Sequence, residues 1–264
     1  MSAAVQLLHE SRLLAGRSLR QIPRVPERLT DVTVMPVIFV LTFVYVFGSA
    51  ITLPEGIDYH EYLVSGMFAQ GIGATLGGLA VGVASDHRSG LFDRLRALPI
   101  SRLSQLAGRN LAQLVEGLLG TAVLVVLGLI VGWAPHGTVL ETIAAFALLN
   151  LWAFAGAWLG TWIGLIVREP EAANQLAFLI FFPLMFLSGI FVPVTGLPTP
   201  LRQIAEWNPL SAAAAASREL FHTPSPPTTG AWPQTHPVLA TILLSGAMIA
   251  VFAPLAVRRY RRLG

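Results

Sequence analysis

A chain of 264 residues with 54% hydrophobic and only 12% charged residues cannot solvate a globular surface of its size, because a soluble domain carries about 25% charged residues. All 17 basic residues are arginine; without lysine there is no G-x-x-x-x-G-K-[ST] phosphate loop, and ATP hydrolysis by that route is excluded. Cysteine is absent as well, which removes disulfides, thiolate nucleophiles and thiolate metal sites.

Residues 1–30 lack the short apolar core and small-residue cleavage site of a secretory signal, so they are expected to be retained. On a helical projection Leu7, Leu8, Leu14, Leu19 and Ile22 fall on one half, and His9, Glu10, Arg17 and Arg20 on the other. That pattern predicts an amphipathic helix lying on membrane lipid, with Pro23 and Pro26 turning the chain into the bilayer. Six apolar runs follow: Val32–Leu53, Leu63–Ser85, Leu111–Trp133, Val139–Val167, Ala172–Val192 and Pro237–Val257. Each is near or above the ~20 residues that cross a ~30 Å hydrocarbon core. The expected fold is therefore an all-α membrane protein with six transmembrane helices over residues 31–257. A basic tail, 258–264, completes it.

With the N-terminus inside, 15 of the arginines fall on inner segments and only Arg202 and Arg218 on outer ones. The positive-inside rule then places both termini in the cytoplasm.

The segment between the second and third runs reads "LFDRLRALPISRLSQ". Asp93, Arg94, Arg96 and Arg102 would each cost about 2.5–3.5 kcal/mol in lipid, so the segment lies in the cytosol. Ser89 can cap a helix start. Leu91, Phe92, Leu95 and Leu98 recur at helical spacing. Pro99 stops the helix, and Ser101 caps the next, which continues into the third span. The prediction is a short helix within 89–99, its apolar residues flanked by arginines and open to a protein partner.

The fourth run carries Gly156, Gly160 and Gly164, a small-xxx-small stripe suited to close helix contact. Phe154, Trp158 and Trp162 lie across the helix from them. These aromatics have two readings: a transport surface for planar, cationic molecules, or lipid-facing bulk. Gly73 with Gly77, and Gly78 with Gly82, repeat the theme in the second run. Glu116 falls about a turn and a half into the third span, where a carboxylate is costly. It is either a substrate or dimer contact, or an interfacial acid paired with an arginine such as Arg109. Asn150 sits deeper and is expected to bond to a neighbouring helix. Glu169 and Glu171 flank Pro170 in a tight inner turn, an acidic helix start and a candidate second contact with a partner. Residues 193–236 form a Pro-rich outer segment with helical spacing over Thr199–Trp207. No histidine is paired at metal-ligand spacing, and no metal site is expected.

Two motifs match a known family. "SDHRSGLFDRLRALPISRLSQLAGR" resembles the cytoplasmic loop of type-2 ABC exporter permeases of the daunorubicin-resistance class, with Gly90, Arg94, Leu95, Arg96, Leu98 and Pro99 at the characteristic positions. The family often has glutamates before the glycine and at position 93; here the acids are Asp86 and Asp93. "FPLMFLSGIFVPVTGLPTPLRQIAEWNPLSAAAAASREL" resembles its C-terminal signature through Phe182, Pro183, Phe186, Leu187, Ser188, Gly189, Pro193, Asn208 and Pro209. The resemblance covers nearly the whole chain.

It implies a bacterial inner-membrane permease with no catalytic residues and no cofactor of its own, and no nucleic-acid partner. The loop helix, carrying Phe92, Asp93, Arg94, Leu95, Arg96, Leu98 and Pro99, would dock on a separate ATP-binding subunit that holds ATP and Mg²⁺. Two permease chains would pair, with short outer helices between spans five and six. The cargo of such a permease would be a hydrophobic drug or lipid-like molecule, or a glycolipid or polysaccharide. Two other classes fit less of the sequence. An ion-coupled transporter wants charges near mid-membrane, and Glu116 is its sole candidate. A lipid-modifying enzyme would rest on Glu55, Asp58, His60 and Glu61 alone.

Overall fold

The structure is a computed structural model that describes residues 34, 37–48, 51, 53–54, 56–73, 75–92 and 102–263. The amphipathic helix expected over 1–30 lies outside the described residues. Among those described, every regular element is helical. They are α1 (Val37–Val46), α2 (Tyr59–Gly73), α3 (Thr75–Arg88), α4 (Arg102–Ile130), α5 (Val139–Ile166) and α6 (Pro170–Phe186). The short α7 (Thr199–Glu206), α8 (Pro209–Phe221) and α9 (Trp232–Thr235) lead to α10 (Pro237–Arg262).

Among the described residues, four helices are long and apolar enough to cross a membrane: α2 and α3 taken together as Tyr59–Arg88, then Gln105–Ile130, Val139–Ile166 and Pro237–Arg262. α1 and α6 are shorter apolar helices. At 1.5 Å per residue, the 17 residues of α6 reach about 26 Å, less than the ~30 Å core. The fifth run was expected to stay helical to Val192, but its helix ends at Phe186. Asn208 donates its side-chain amide to the carbonyls of Leu184 (2.6 Å) and Leu187 (3.3 Å), while its Oδ1 accepts from the Leu210 amide (2.9 Å). One side chain thus satisfies the end of α6 and caps the start of α8, where Pro209 occupies the first turn.

α5 is the central column. It is apolar on every side, and it packs against α2, α3, α4, α6, α8 and α10. Its start is fixed by a capping box between Thr138 and Glu141. Two of its three striped glycines make the close approach expected of them. A Cβ at Gly160 would lie 2.5 Å from the Leu76 carbonyl oxygen, and one at Gly164 2.5 Å from that of Ala80. Gly156 faces nothing within 4 Å.

The core divides by depth. One cluster joins α1, α2, α5 and α8 around Phe68, Trp133 and Phe221. A second gathers Leu79, Val83, Phe92, Leu106, Trp158 and Tyr260 at the opposite end. A third fills the space between α3, α5 and α6. Large apolar side chains stand exposed on α4, α6 and α10, among them Leu129, Phe178, Leu179, Leu243 and Val251. Water would penalise such a surface; a hydrocarbon solvent would not.

Candidate functional site

Three places carry the polar and aromatic residues singled out by the sequence. The first is the end of α3, where the chain enters the basic segment. α3 ends at Arg88, and the turn after it passes through Gly90, whose φ of +68° suits a residue without Cβ. Phe92 then turns inward and is only 5% exposed. Its ring meets Tyr260 edge-on at 5.0 Å. The Tyr260 hydroxyl donates to Gln105 Oε1 in α4, and both residues are buried. Asp86 forms an ion pair with Arg109, whose guanidinium occupies the space left by the missing side chain of Gly82. Arg88 reaches Glu169 at 2.7 Å, and Arg259 donates to the Leu165 carbonyl at 3.3 Å. Residue 92 is therefore tied to α3, α4 and α10 at once, with the 167–170 turn bound alongside. Asp93, Arg94, Leu95, Arg96, Leu98 and Pro99 lie outside the described residues. Of Glu116, only its place in α4 is described.

Tyr260 and Gln105 were not legible as partners of Phe92. The sixth span was expected over Pro237–Val257; its helix runs on through the basic tail to Arg262, and this extension brings Tyr260 against Phe92. Asp86 with Arg109, and Arg88 with Glu169, link the flanks of the second, third and fourth apolar runs.

The second place is the aromatic face of α5. Trp158 is 3% exposed and sits in one cluster with Tyr260 and Ala256. Phe154 meets it edge-on at 6.1 Å, and Trp162 meets Phe252 of α10 at 5.6 Å. A lipid-facing role for Trp158 is thereby corrected, because α10 covers this face; Phe154 and Trp162 are half-buried. Asn150, expected to reach another helix, bonds back to the Phe146 carbonyl of its own helix at 2.7 Å. The inter-helix polar link is instead Thr161, whose hydroxyl donates to Asn110 Oδ1 of α4 at 2.7 Å with both residues buried.

The third place lies at the opposite end. Arg218 of α8 is 5% exposed. Its guanidinium carbon lies 3.6 Å above the Tyr62 ring centroid. Nε donates to the Tyr62 carbonyl at 3.0 Å and Nη2 to that of Ile190 at 3.1 Å. Burial draws its pKa below the ordinary value, though guanidinium stays charged. Tyr62 also donates to the Gly189 carbonyl at 2.6 Å, pinning the chain beyond α6 onto α2. Arg218, Ser211 and Gln234 line a half-open cavity of about 210 Å³. Among the described residues, no cluster of histidines and acids could hold a metal ion.

Residues 9–222 match the family described as ABC-2 type transporter. The chain belongs to that family. This ABC-2 type permease is a multi-pass membrane protein. It is 32% identical over 245 residues to the daunorubicin resistance ABC transporter permease protein DrrB1 of Streptomyces coeruleorubidus, covering 93% of this chain and 83% of the relative. It is 23% identical over 218 residues to the probable doxorubicin resistance ABC transporter permease protein DrrC of Mycobacterium tuberculosis, covering 79% and 78%. A putative transport permease, ycf38, of Pyropia yezoensis is 27% identical over 222 residues, covering 81% and 75%. The two ends of this ABC-2 type permease are chemically unlike. One gathers ion pairs around an aromatic anchor; the other buries a single arginine beside a cavity.

Proposed function

We propose that this permease is the membrane subunit of an ATP-driven exporter of hydrophobic drugs or lipid-like molecules, powered by a separate ATP-binding subunit. The observation that carries the mechanical part is the seat of Phe92. A subunit docking on residues 92–99 would push on a residue packed against Tyr260 of α10 and linked through it to Gln105 of α4. Both helices border α5, so a displacement there tilts the walls of the bundle against its central column. ATP and Mg²⁺ belong to the partner, and this chain supplies no catalytic group and holds no cofactor.

In this reading α1 and α6 complete a set of six spans, both termini face the cytoplasm, and α7 and α8 lie on the outer side. Two permease chains form the pathway, with Glu116, Asn150, Phe154, Trp158 and Trp162 as its candidate lining or helix contacts. The names of the relatives from Streptomyces and Mycobacterium support a drug-like cargo. The test is compound-stimulated ATP hydrolysis by the permease purified with its ATP-binding subunit. The double change Leu95→Asp and Arg96→Glu abolishes stimulation while membrane insertion stays normal. Unchanged stimulation in that variant would remove the segment from the mechanism.

A further inference from the structure

Arg218 is, among the described residues, a buried charge without a counter-ion. Among the described residues no carboxylate lies within ion-pair distance of it, and two backbone carbonyls take up two of its five N–H donors. The exposed Glu219 borders the same cavity but forms no ion pair with it. An unpaired buried charge is expensive and is normally matched by an opposite charge. The fold nevertheless makes room for this one. A Cβ at Gly66 would lie 2.5 Å from Arg218 Nη2, so α2 carries no side chain where the guanidinium sits.

The lining of the cavity beside it is mostly apolar, and the polar groups in it are incompletely satisfied. Thr229 and Gln234 line it, and among the described residues Thr229 Oγ1 and Gln234 Nε2 are buried without a hydrogen-bond partner. Such orphans are uncommon in a finished interior. Ser211 and Thr223 line it too, with the Ser211 hydroxyl accepting from the Gly189 amide at 3.3 Å and the Thr223 hydroxyl bonded to Ser65 Oγ at 2.8 Å. At about 30 Å³ per water, the 210 Å³ would hold a phosphoryl or carboxyl group with several waters. A guanidinium, an amide N–H and a hydroxyl on residues that border one space suit acceptor oxygens bearing negative charge.

We propose that this cavity is an oxyanion site, with Arg218 as its charge and Thr229 and Gln234 as its directional contacts, taking the phosphate or carboxylate of a soluble molecule or of a lipid headgroup. The site does not depend on the cargo proposed above.

The obvious variant, Arg218→Gln, also disturbs both carbonyl bonds, so cavity-side variants carry the test. Full-length protein in uncharged detergent is titrated with inorganic phosphate against chloride at constant ionic strength, and binding is read by calorimetry and by the unfolding midpoint. In parallel, phosphatidylglycerol carried by the protein from mixed-lipid nanodiscs is counted by native mass spectrometry. Saturable phosphate binding that weakens about tenfold or more in Gln234→Leu and Thr229→Val identifies a site for soluble oxyanions. Retained phosphatidylglycerol that is lost in the same variants identifies a headgroup site. Absence of both signals, or equal binding by the variants and the unaltered protein, overturns the proposal.

Discussion

Gly160→Ala sets the α3–α5 contact against helix propensity, and the two pull in opposite directions. The new Cβ would lie 2.5 Å from the Leu76 carbonyl oxygen, where ordinary contact begins at 3.4 Å, so the helices must part by roughly the 0.9 Å difference. The obstructing atom is backbone, and no side chain can swing aside. Overpacking of this kind costs about 1–3 kcal/mol. Alanine returns about 0.8–1.0 kcal/mol over glycine through helix propensity. The net loss is then about 0–2 kcal/mol, and the gap to a clash-free glycine-to-alanine change is the full overpacking cost of about 1–3 kcal/mol. Gly156→Ala is the internal control: it meets nothing within 4 Å, so it keeps only the propensity gain and is neutral or slightly stabilising. Gly164→Ala meets the Ala80 carbonyl at the same 2.5 Å. The double change at 160 and 164 costs less than the sum, because one separation relieves both clashes. Reversible unfolding in mixed micelles titrated with a denaturing detergent measures all four variants. Finding Gly160→Ala as stable as Gly156→Ala would refute the close-contact account.

Phe92→Ala empties a buried aromatic site and destabilises by about 3–5 kcal/mol. Tyr260→Phe keeps the ring contact but strips Gln105 of its donor, a loss of about 1–3 kcal/mol; both changes lower compound-stimulated ATP hydrolysis more than membrane insertion, measured side by side. Thr161→Val breaks the buried link to Asn110 and costs about 1–3 kcal/mol in the same unfolding assay. Arg88→Ala and Glu169→Ala each change stability by less than about 1 kcal/mol, because both side chains of that pair are 62% exposed, and raising the salt concentration erases the difference.

Apolar periodicity and small-residue spacing were readable because they depend on one helix alone. The glycine stripe of α5 is a property of one helix, and two of its positions meet a neighbour as expected. What covers a face is a property of two helices, and a single sequence is silent on it. Trp158 belongs as well to a lipid surface as to an interface until α10 is seen lying over it. The end of α6 at Phe186 depends on Asn208, which is distant along the chain. The Asn-Pro pair was noticed, but its bonds back to Leu184 and Leu187 follow from the fold. Arg218 was counted as one of two outer arginines. The signal that could have set it apart was its neighbourhood, a cation one residue beyond the alanine run of α8. The expectation most central to function, residues 93–99, lies outside the described residues, and only its root at Phe92 is described.

The most direct measurement of the central claim is cargo export from proteoliposomes that contain this permease with and without its ATP-binding subunit. The account predicts export that requires both the subunit and hydrolysable ATP and that falls to background when either is omitted. Export at the same rate by the permease alone, driven by an ion gradient or by none, would contradict it.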